Sequence, residues 1–180
     1  MSTISIIGPG NMARLIGAKA VAGGNAVEII GRDPAKAAAL ASALGGGATT
    51  GTFGAVPAGD IVILAVTYAS CAPLVSQYGD ALAGKIIVDM SNNFAPDGTG
   101  LITPEGTSAA QEIAKAAPAS ASVVKAFNTV FGNALAQDRP LDTGPLAMAR
   151  WLEGTGLVMV GLGRYGVGNF NFTLDVNIPG

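Results

Sequence analysis

Residues 3–36 decide the fold. They read Thr3-Ile4-Ser5-Ile6-Ile7, then Gly8-Pro9-Gly10-Asn11-Met12-Ala13, a helical stretch to Ala22, the turn Gly23-Gly24-Asn25, a second apolar segment Ala26-Val27-Glu28-Ile29-Ile30, and Gly31-Arg32-Asp33-Pro34-Ala35-Lys36. Strand, glycine turn, helix and strand in this order form the phosphate-gripping half of a dinucleotide site. Gly8 supplies the tight turn, and Gly10 lets backbone approach a pyrophosphate. Asn11 and Met12 open the helix, whose free N–H groups face the anion. Ala13 stands at the third position of the fingerprint, where glycine or alanine fits. A glycine turn alone is weak evidence; between an apolar strand and a helix, with a second strand at the right distance, it is strong.

The rest of the chain extends the same alternation. Strands are expected at Thr3–Ile7, Ala26–Ile30, residues 48–50, residues 61–66, Ile86–Asp89 and residues 122–126, and helices at residues 12–22, Pro34–Leu44, residues 70–78, residues 107–116 and residues 145–163. Continuous apolar strands alternating with helices imply an α/β fold, a Rossmann-like doubly wound parallel sheet with a long C-terminal helix. Asp33 before Pro34 reads as an N-cap with proline at the first helical position, and Ser70 as the cap of the next helix. Gly154, Gly156, Gly161 and Gly163 interrupt the last helix. Each interior glycine costs about 1 kcal/mol against alanine, so that helix requires close packing, for example against another subunit. Residues 1–130 are expected to form the nucleotide-binding domain and residues 131–180 a shorter C-terminal segment.

Composition removes several function classes. The longest apolar run, residues 61–66, is strand-sized and far below the roughly 18–20 residues of a membrane span, so no membrane segment is expected. The net charge is −2 and Lys and Arg are not clustered, which argues against nucleic acid as a partner. No basic segment followed by an apolar core opens the chain, and Cys71 is the sole cysteine; a reducing, cytoplasmic setting is the expectation. The chain has no histidine, which removes Ser-His-Asp catalysis, imidazole acid–base chemistry and histidine-ligated metals.

The end of the second strand selects the dinucleotide. An NAD site places an acid there, on the ribose hydroxyls. Here Gly31 has no side chain, Arg32 follows, and Lys36 lies one helical turn on. A small residue with two cations suits a 2′-phosphate, so NADP is the expected cofactor. Glu28 reads as a polar side chain on an outer position, Asp33 as a helix cap rather than a ribose ligand. Lys36 reads equally as a phosphate partner or a solvated helix charge.

Ligands in such sheets sit outside the carboxyl ends of the strands. Residues 61–66 end in Ala65 and Val66 and lead into Thr67 and Tyr68. Ile86–Asp89 leads into Met90, Ser91, Asn92 and Asn93, and residues 122–126 into Phe127, Asn128 and Thr129. Tyr68 either borders a nicotinamide or packs at the sheet rim. Asn92, Asn128 and Thr129 either orient a carboxamide or second ring, or are plain turn residues. Asp89, Lys125, Asp138 and Asp142 read as scattered, so no protein acid, base or other catalytic residue is assigned. Cys71 reads as a helix residue, not a nucleophile. Reducing a carbonyl or imine needs a placed proton donor, and Lys125 is the only basic candidate on a nearby strand. Hydride exchange between two ring cofactors needs mainly alignment and exclusion of water, which this crevice favours. A non-catalytic NADP-binding module is a third reading.

Several motifs together resemble the NADP-dependent reductases of coenzyme F-420, a deazaflavin: residues 8–13, Gly31-Arg32, residues 61–68, residues 85–91, residues 123–129 and Pro140-Leu141-Asp142-Thr143-Gly144-Pro145-Leu146. The last is the most specific. The resemblance implies that Gly31 and Arg32 meet the 2′-phosphate and that Tyr68 lies beside the nicotinamide. It also implies a second ring, deazaflavin or flavin, docked over the nicotinamide near Asn128, Thr129 and the tail, and a homodimer joined through the last helix. Two departures stand out. Asn128 replaces the histidine of the archaeal deazaflavin enzymes, and the family's further strand and helix between Phe131 and Pro140 is reduced to residues 132–139.

Overall fold

The computed structural model describes residues 2–97 and 99–128 and, beyond them, three strands, Ala147–Trp151, Leu157–Gly161 and Leu174–Asp175. The first strand β1 (Thr3–Ile7) pairs in parallel with β2 (Ala26–Ile30) on one side and β4 (Ile61–Leu64) on the other. With β3 (Thr49–Gly51), β5 (Ile86–Asp89) and β6 (Ser122–Lys125), the order is β3-β2-β1-β4-β5-β6, all parallel. The chain winds outward from β1 to β3, then returns to the other side of β1. The reversal leaves a crevice at the carboxyl ends of β1 and β4, the place where such sheets bind ligands. The expected doubly wound α/β sheet is thus the observed one.

Helices cover both faces. On one side lie α1 (Asn11–Ala22) and α2 (Pro34–Leu44), over a core containing Ile6, Ile16, Val27, Ile29, Leu40 and Ile63. On the other lie α3 (Tyr68–Tyr78) and α4 (Ala109–Ala114), over Ile7, Ile30, Val62, Leu64, Val75, Ile87, Ile113 and Val123. Neighbours such as Ile6 and Ile7 serve opposite faces because successive strand side chains alternate. Burying each such side chain contributes about 1.5–3 kcal/mol, which is why these strands are apolar without alternation.

One register row matters for the site. Ile30, Ile7, Leu64, Asp89 and Lys125 are Cα partners in succession across β2, β1, β4, β5 and β6. The row is apolar over the first three strands and charged over the last two.

Several boundaries differ from the sequence reading. The strand expected over residues 61–66 ends at Leu64, because the Ala65 N–H bonds the Ile7 carbonyl (2.8 Å) and β1 has then turned away. The helix expected from residue 70 starts at Tyr68, so Thr67 holds the cap position and Ser70 lies in the first turn, its Oγ 3.1 Å from Thr67 Oγ1. The helix expected over residues 107–116 is Ala109–Ala114, opened by a capping box in which Ser108 and Gln111 satisfy each other's backbone. Glu28 is a tie, not an idle outer polar group: Ser5 Oγ donates to its carboxylate at 2.5 Å, and the Ala58 N–H at 2.9 Å. The expected cap at Asp33 is observed, its Oδ1 accepting from the Ala35 and Lys36 N–H groups at 3.0 and 3.3 Å.

The connection between Phe131 and Pro140 and Thr129 lie outside the described residues, as does much of the helix expected over residues 145–163. The described pieces of that span are β7 (Ala147–Trp151) and β8 (Leu157–Gly161), which pair antiparallel, with β9 (Leu174–Asp175) added to β8. Val158 and Val160 are β-branched, and Gly154 and Gly156 fall between the two strands, where a helix is weakened most.

Candidate functional site

The glycine turn is built for a close approach. Gly8 has φ +106°, a conformation that side chains rarely adopt. A Cβ there would also collide with the Ala65 carbonyl oxygen and lie 2.9 Å from Val66 Cγ1, so only glycine seats the turn on the end of β4. Ala65 and Val66, expected as site residues, enter the site in this way. At Gly10 a Cβ would meet nothing within 4 Å. That open space lies at the N-terminus of α1, which no side chain caps. Asn11 and Met12 open that helix, so its first N–H groups are left for an anion. Asn11 is further held by Arg14, whose Nη2 donates to its Oδ1 at 3.1 Å.

The end of β2 closes against this turn. The Gly8 N–H donates to the Ile30 carbonyl at 2.8 Å, and a Cβ on Gly31 would come within 3.0 Å of the Pro9 ring. Beside the turn opens a cleft of about 540 Å³ whose lining includes Gly8, Pro9, Gly31, Arg32, Asp33, Lys36, Val66 and Thr67. Arg32 makes no ion pair among the described residues, and Lys36 has only an exposed contact to Asp33 at 3.9 Å, a weak one in water. Two cations at one rim, one of them uncommitted, suit a phosphate. The far wall is the Ser70, Pro73, Leu74 and Gln77 face of α3, with Phe53. The sequence reading missed Phe53, Pro73 and Gln77. The i, i+3, i+4, i+7 spacing from Ser70 was the available signal for the helix face. Phe53 is placed by tertiary contact alone, edge-on to Tyr78 at 5.9 Å.

Tyr68, half-buried, does not line that cleft; it lies toward α4. Its phenol is pushed up, by burial first and then by the negative charges of Glu112 and Asp89, so it is a neutral hydroxyl near pH 7.

The ends of β5 and β6 revise the reading of Asp89 and Lys125 as scattered. They are register partners, and Lys125 Nζ donates to Asp89 Oδ2 at 2.6 Å. Asp89 is wholly buried; its Oδ1 accepts from the Ser91 N–H at 2.8 Å. Lys125 Nζ also donates to the Ser91 carbonyl. Ser91 Oγ is buried with no hydrogen-bond partner. The Cys71 thiol, wholly buried, lies 3.9 Å from Asp89 Oδ1 and is pushed up to about 11, by burial first and then by Asp89. At neutral pH it is a thiol and not a nucleophile, as expected. Above this cluster, Asn92 Nδ2 donates to the Asn128 carbonyl at 3.3 Å, and the two carboxamides approach at 3.5 Å. The intervening Phe127 has φ +66°, an uncommon backbone for a bulky residue. Met90, buried, packs into the α1–α2 core. Asn92 and Asn128 are therefore brought together, as read, while Met90 belongs to the core. Among the described residues no group of three or more His, Cys, Asp or Glu could hold a metal, and no helix is long and apolar enough to cross a membrane.

The model of the family described as NADP oxidoreductase, coenzyme F-420-dependent, matches residues 3–93. No curated protein matches the chain. Among solved structures, a hypothetical protein from Sinorhizobium meliloti is 31% identical, with TM-score 0.67; the match covers 77% of this chain and 67% of that one. A protein from Arthrobacter sp., provisionally named an F-420-dependent NADP-reductase, is 24% identical with TM-score 0.63, over 74% of this chain and 65% of that one. A pyrroline-5-carboxylate reductase from Coxiella burnetii shares the fold at 21% identity and TM-score 0.53, over 69% and 43%. The chain thus spans about two thirds of the length of the first two and less than half of the third.

Proposed function

Because this chain belongs to the NADP oxidoreductase, coenzyme F-420-dependent family, whose members are NADP-dependent oxidoreductases, we propose that it moves a hydride between NADP(H) and a second ring cofactor, a deazaflavin such as coenzyme F-420 or a flavin. The observation that carries the NADP half is the rim of the cleft. A Cβ on Gly31 would crowd the Pro9 ring at 3.0 Å, and Arg32 and Lys36 stand beside it, with no carboxylate on Arg32 among the described residues. The uncapped start of α1 at Asn11 and Met12 offers backbone N–H groups to the pyrophosphate, and Gly10, whose own N–H donates to the Gly8 carbonyl at 2.9 Å, leaves the approach open. NADPH, when bound, supplies the hydride. The chain's own part is to bind the nucleotide, orient its ring toward Tyr68 and the Asn92–Asn128 pair, and exclude water.

The acceptor half rests on the ends of β5 and β6. They present the two carboxamides of Asn92 and Asn128, groups that align rings and do not donate protons readily; the neutral phenol of Tyr68 comes from the start of α3. Lys125, the one basic candidate for protonating an imine or carbonyl, is committed to Asp89 and Ser91. The fold shared with a pyrroline-carboxylate reductase at 21% identity carries no substrate over to this chain. Stopped-flow mixing with NADPH tests the reading. Coenzyme F-420 or FMN is expected to lose its absorbance as NADPH is oxidised. Oxidation only with added imines or ketones would replace this reading with a small-substrate reductase, and tight NADPH binding without any turnover would replace it with a binding module.

A further inference from the structure

The register row across the carboxyl edge of the sheet is apolar at Ile30, Ile7 and Leu64, then ionic at Asp89 and Lys125. A buried ion pair is costly, and apolar residues of the same volume usually serve stability as well or better. The pair instead fixes a place. The Ser91 backbone is held on both sides, its N–H by Asp89 Oδ1 and the carbonyl of its peptide with Asn92 by Lys125 Nζ. That peptide leads directly into Asn92. On the neighbouring strand Lys125 is followed by Ala126 and the left-handed Phe127, which returns the chain so that Asn128 meets Asn92.

The geometry points to Lys125 as a positioning residue: anchored on Asp89, it holds the Ser91 peptide and thereby sets the Asn92–Asn128 pair that forms the acceptor-side wall of the crevice. This rests on the hydride-transfer reading for the use of the wall, and on the contacts alone for its being held. The ligand such a wall suits is a flat ring with an amide-like edge, carbonyl and N–H side by side, because two facing carboxamides offer donors and acceptors in alternation. Lys125 itself does not touch the ring.

The test uses the full chain with Lys125→Met, Lys125→Arg and Asp89→Asn. Two readouts are made. One is the NMR signals of the Ser91 backbone amide and the Asn92 and Asn128 side-chain amides, with the Gly8 and Gly10 amides as internal reference. The other is the NADPH dissociation constant together with KM and kcat for coenzyme F-420 and for FMN. In Lys125→Met the Ser91, Asn92 and Asn128 signals are expected to shift or broaden while Gly8 and Gly10 stay. Acceptor KM is expected to rise, or kcat to fall, by roughly tenfold to a hundredfold, with NADPH affinity unchanged. Lys125→Arg should restore most of both effects. Should the methionine variant not fold, Asp89→Asn, which keeps the shape and removes the charge, is expected to move the same three signals. Unmoved signals, or wall and glycine-turn signals lost together in every variant, would overturn the assignment. If the wild-type chain reduces neither acceptor, the hydride-transfer reading fails, while the NMR comparison still decides the role of Lys125.

Discussion

Arg32 carries the choice of nucleotide. Arg32 lines the cleft with no carboxylate partner among the described residues, so none of these competes with a phosphate for it. A charge-assisted, bidentate contact contributes about 1.5–3 kcal/mol. Arg32→Ala is therefore expected to raise the NADPH dissociation constant by about tenfold or more, measured by fluorescence titration, and to leave NADH binding nearly unchanged. Equal NADPH affinity in the variant would remove Arg32 from the 2′-phosphate. Lys36, exposed and shared with Asp33, should contribute less. At this scale the sequence was informative where a residue's role depends on its immediate neighbours. Gly8, Gly31 and Asp33 could be read from the turn, the strand end and the following proline. Asp89 and Lys125 could not: they are far apart in sequence and meet only because β5 and β6 are adjacent in register. Glu28 was misread for the same reason, since its partners Ser5 and Ala58 come from other segments.

At the scale of elements, α2 begins on a cap that doubles as a boundary of the cleft. Asp33 bonds the Ala35 and Lys36 N–H groups, and Pro34 takes the first helical position. If this is its whole role, Asp33→Ala should cost about 1 kcal/mol. That lowers the thermal midpoint by roughly 2–4 °C, and affinity for NADH and NADPH should hold, or rise slightly for NADPH as a nearby negative charge is lost. A parallel loss of both affinities would instead make Asp33 a ribose ligand. Strand existence was most legible for β1, β2, β4 and β5, where burial on both faces leaves largely apolar runs; β3, Thr49-Thr50-Gly51, is short and mostly exposed. Their ends were less legible. The strand over Ile61–Leu64 stops where its partner β1 turns at Gly8, and α3 starts at Tyr68 because Thr67, not Ser70, is the last extended residue before it. Both limits are set by a neighbour's geometry. The span over residues 145–163 has the length of one long helix interrupted by glycines; its described pieces, Ala147–Trp151 and Leu157–Gly161, are strands, and the rest lies outside the described residues.

For the whole molecule, the question is which part of the chain is a folding unit. Among the described residues, the two buried clusters on the sheet's faces lie between Ile6 and Val123, with partly buried neighbours reaching Phe127. The glycine turn, the described lining of the cleft and the Asn92–Asn128 pair all come from residues up to 128. Two helix layers on a six-stranded sheet form a self-sufficient architecture at this size. A fragment of residues 1–130 is therefore expected to unfold in one cooperative transition and to bind NADPH within a few-fold of the full chain. Ligand linkage gives a direct measurement: at a hundred times its dissociation constant, NADPH stabilises whatever binds it by about 2.7 kcal/mol. The midpoint of both fragment and full chain should then rise by a similar amount with NADPH. The same fragment should fail to reduce coenzyme F-420 or FMN if residues beyond 130 complete the acceptor side, because the wall at Asn92 and Asn128 borders only one side of the crevice. A fragment that aggregates, or that folds without binding NADPH, would place residues beyond 130 inside the nucleotide-binding unit itself. Full turnover by the fragment would confine the acceptor site to the sheet and its described loops.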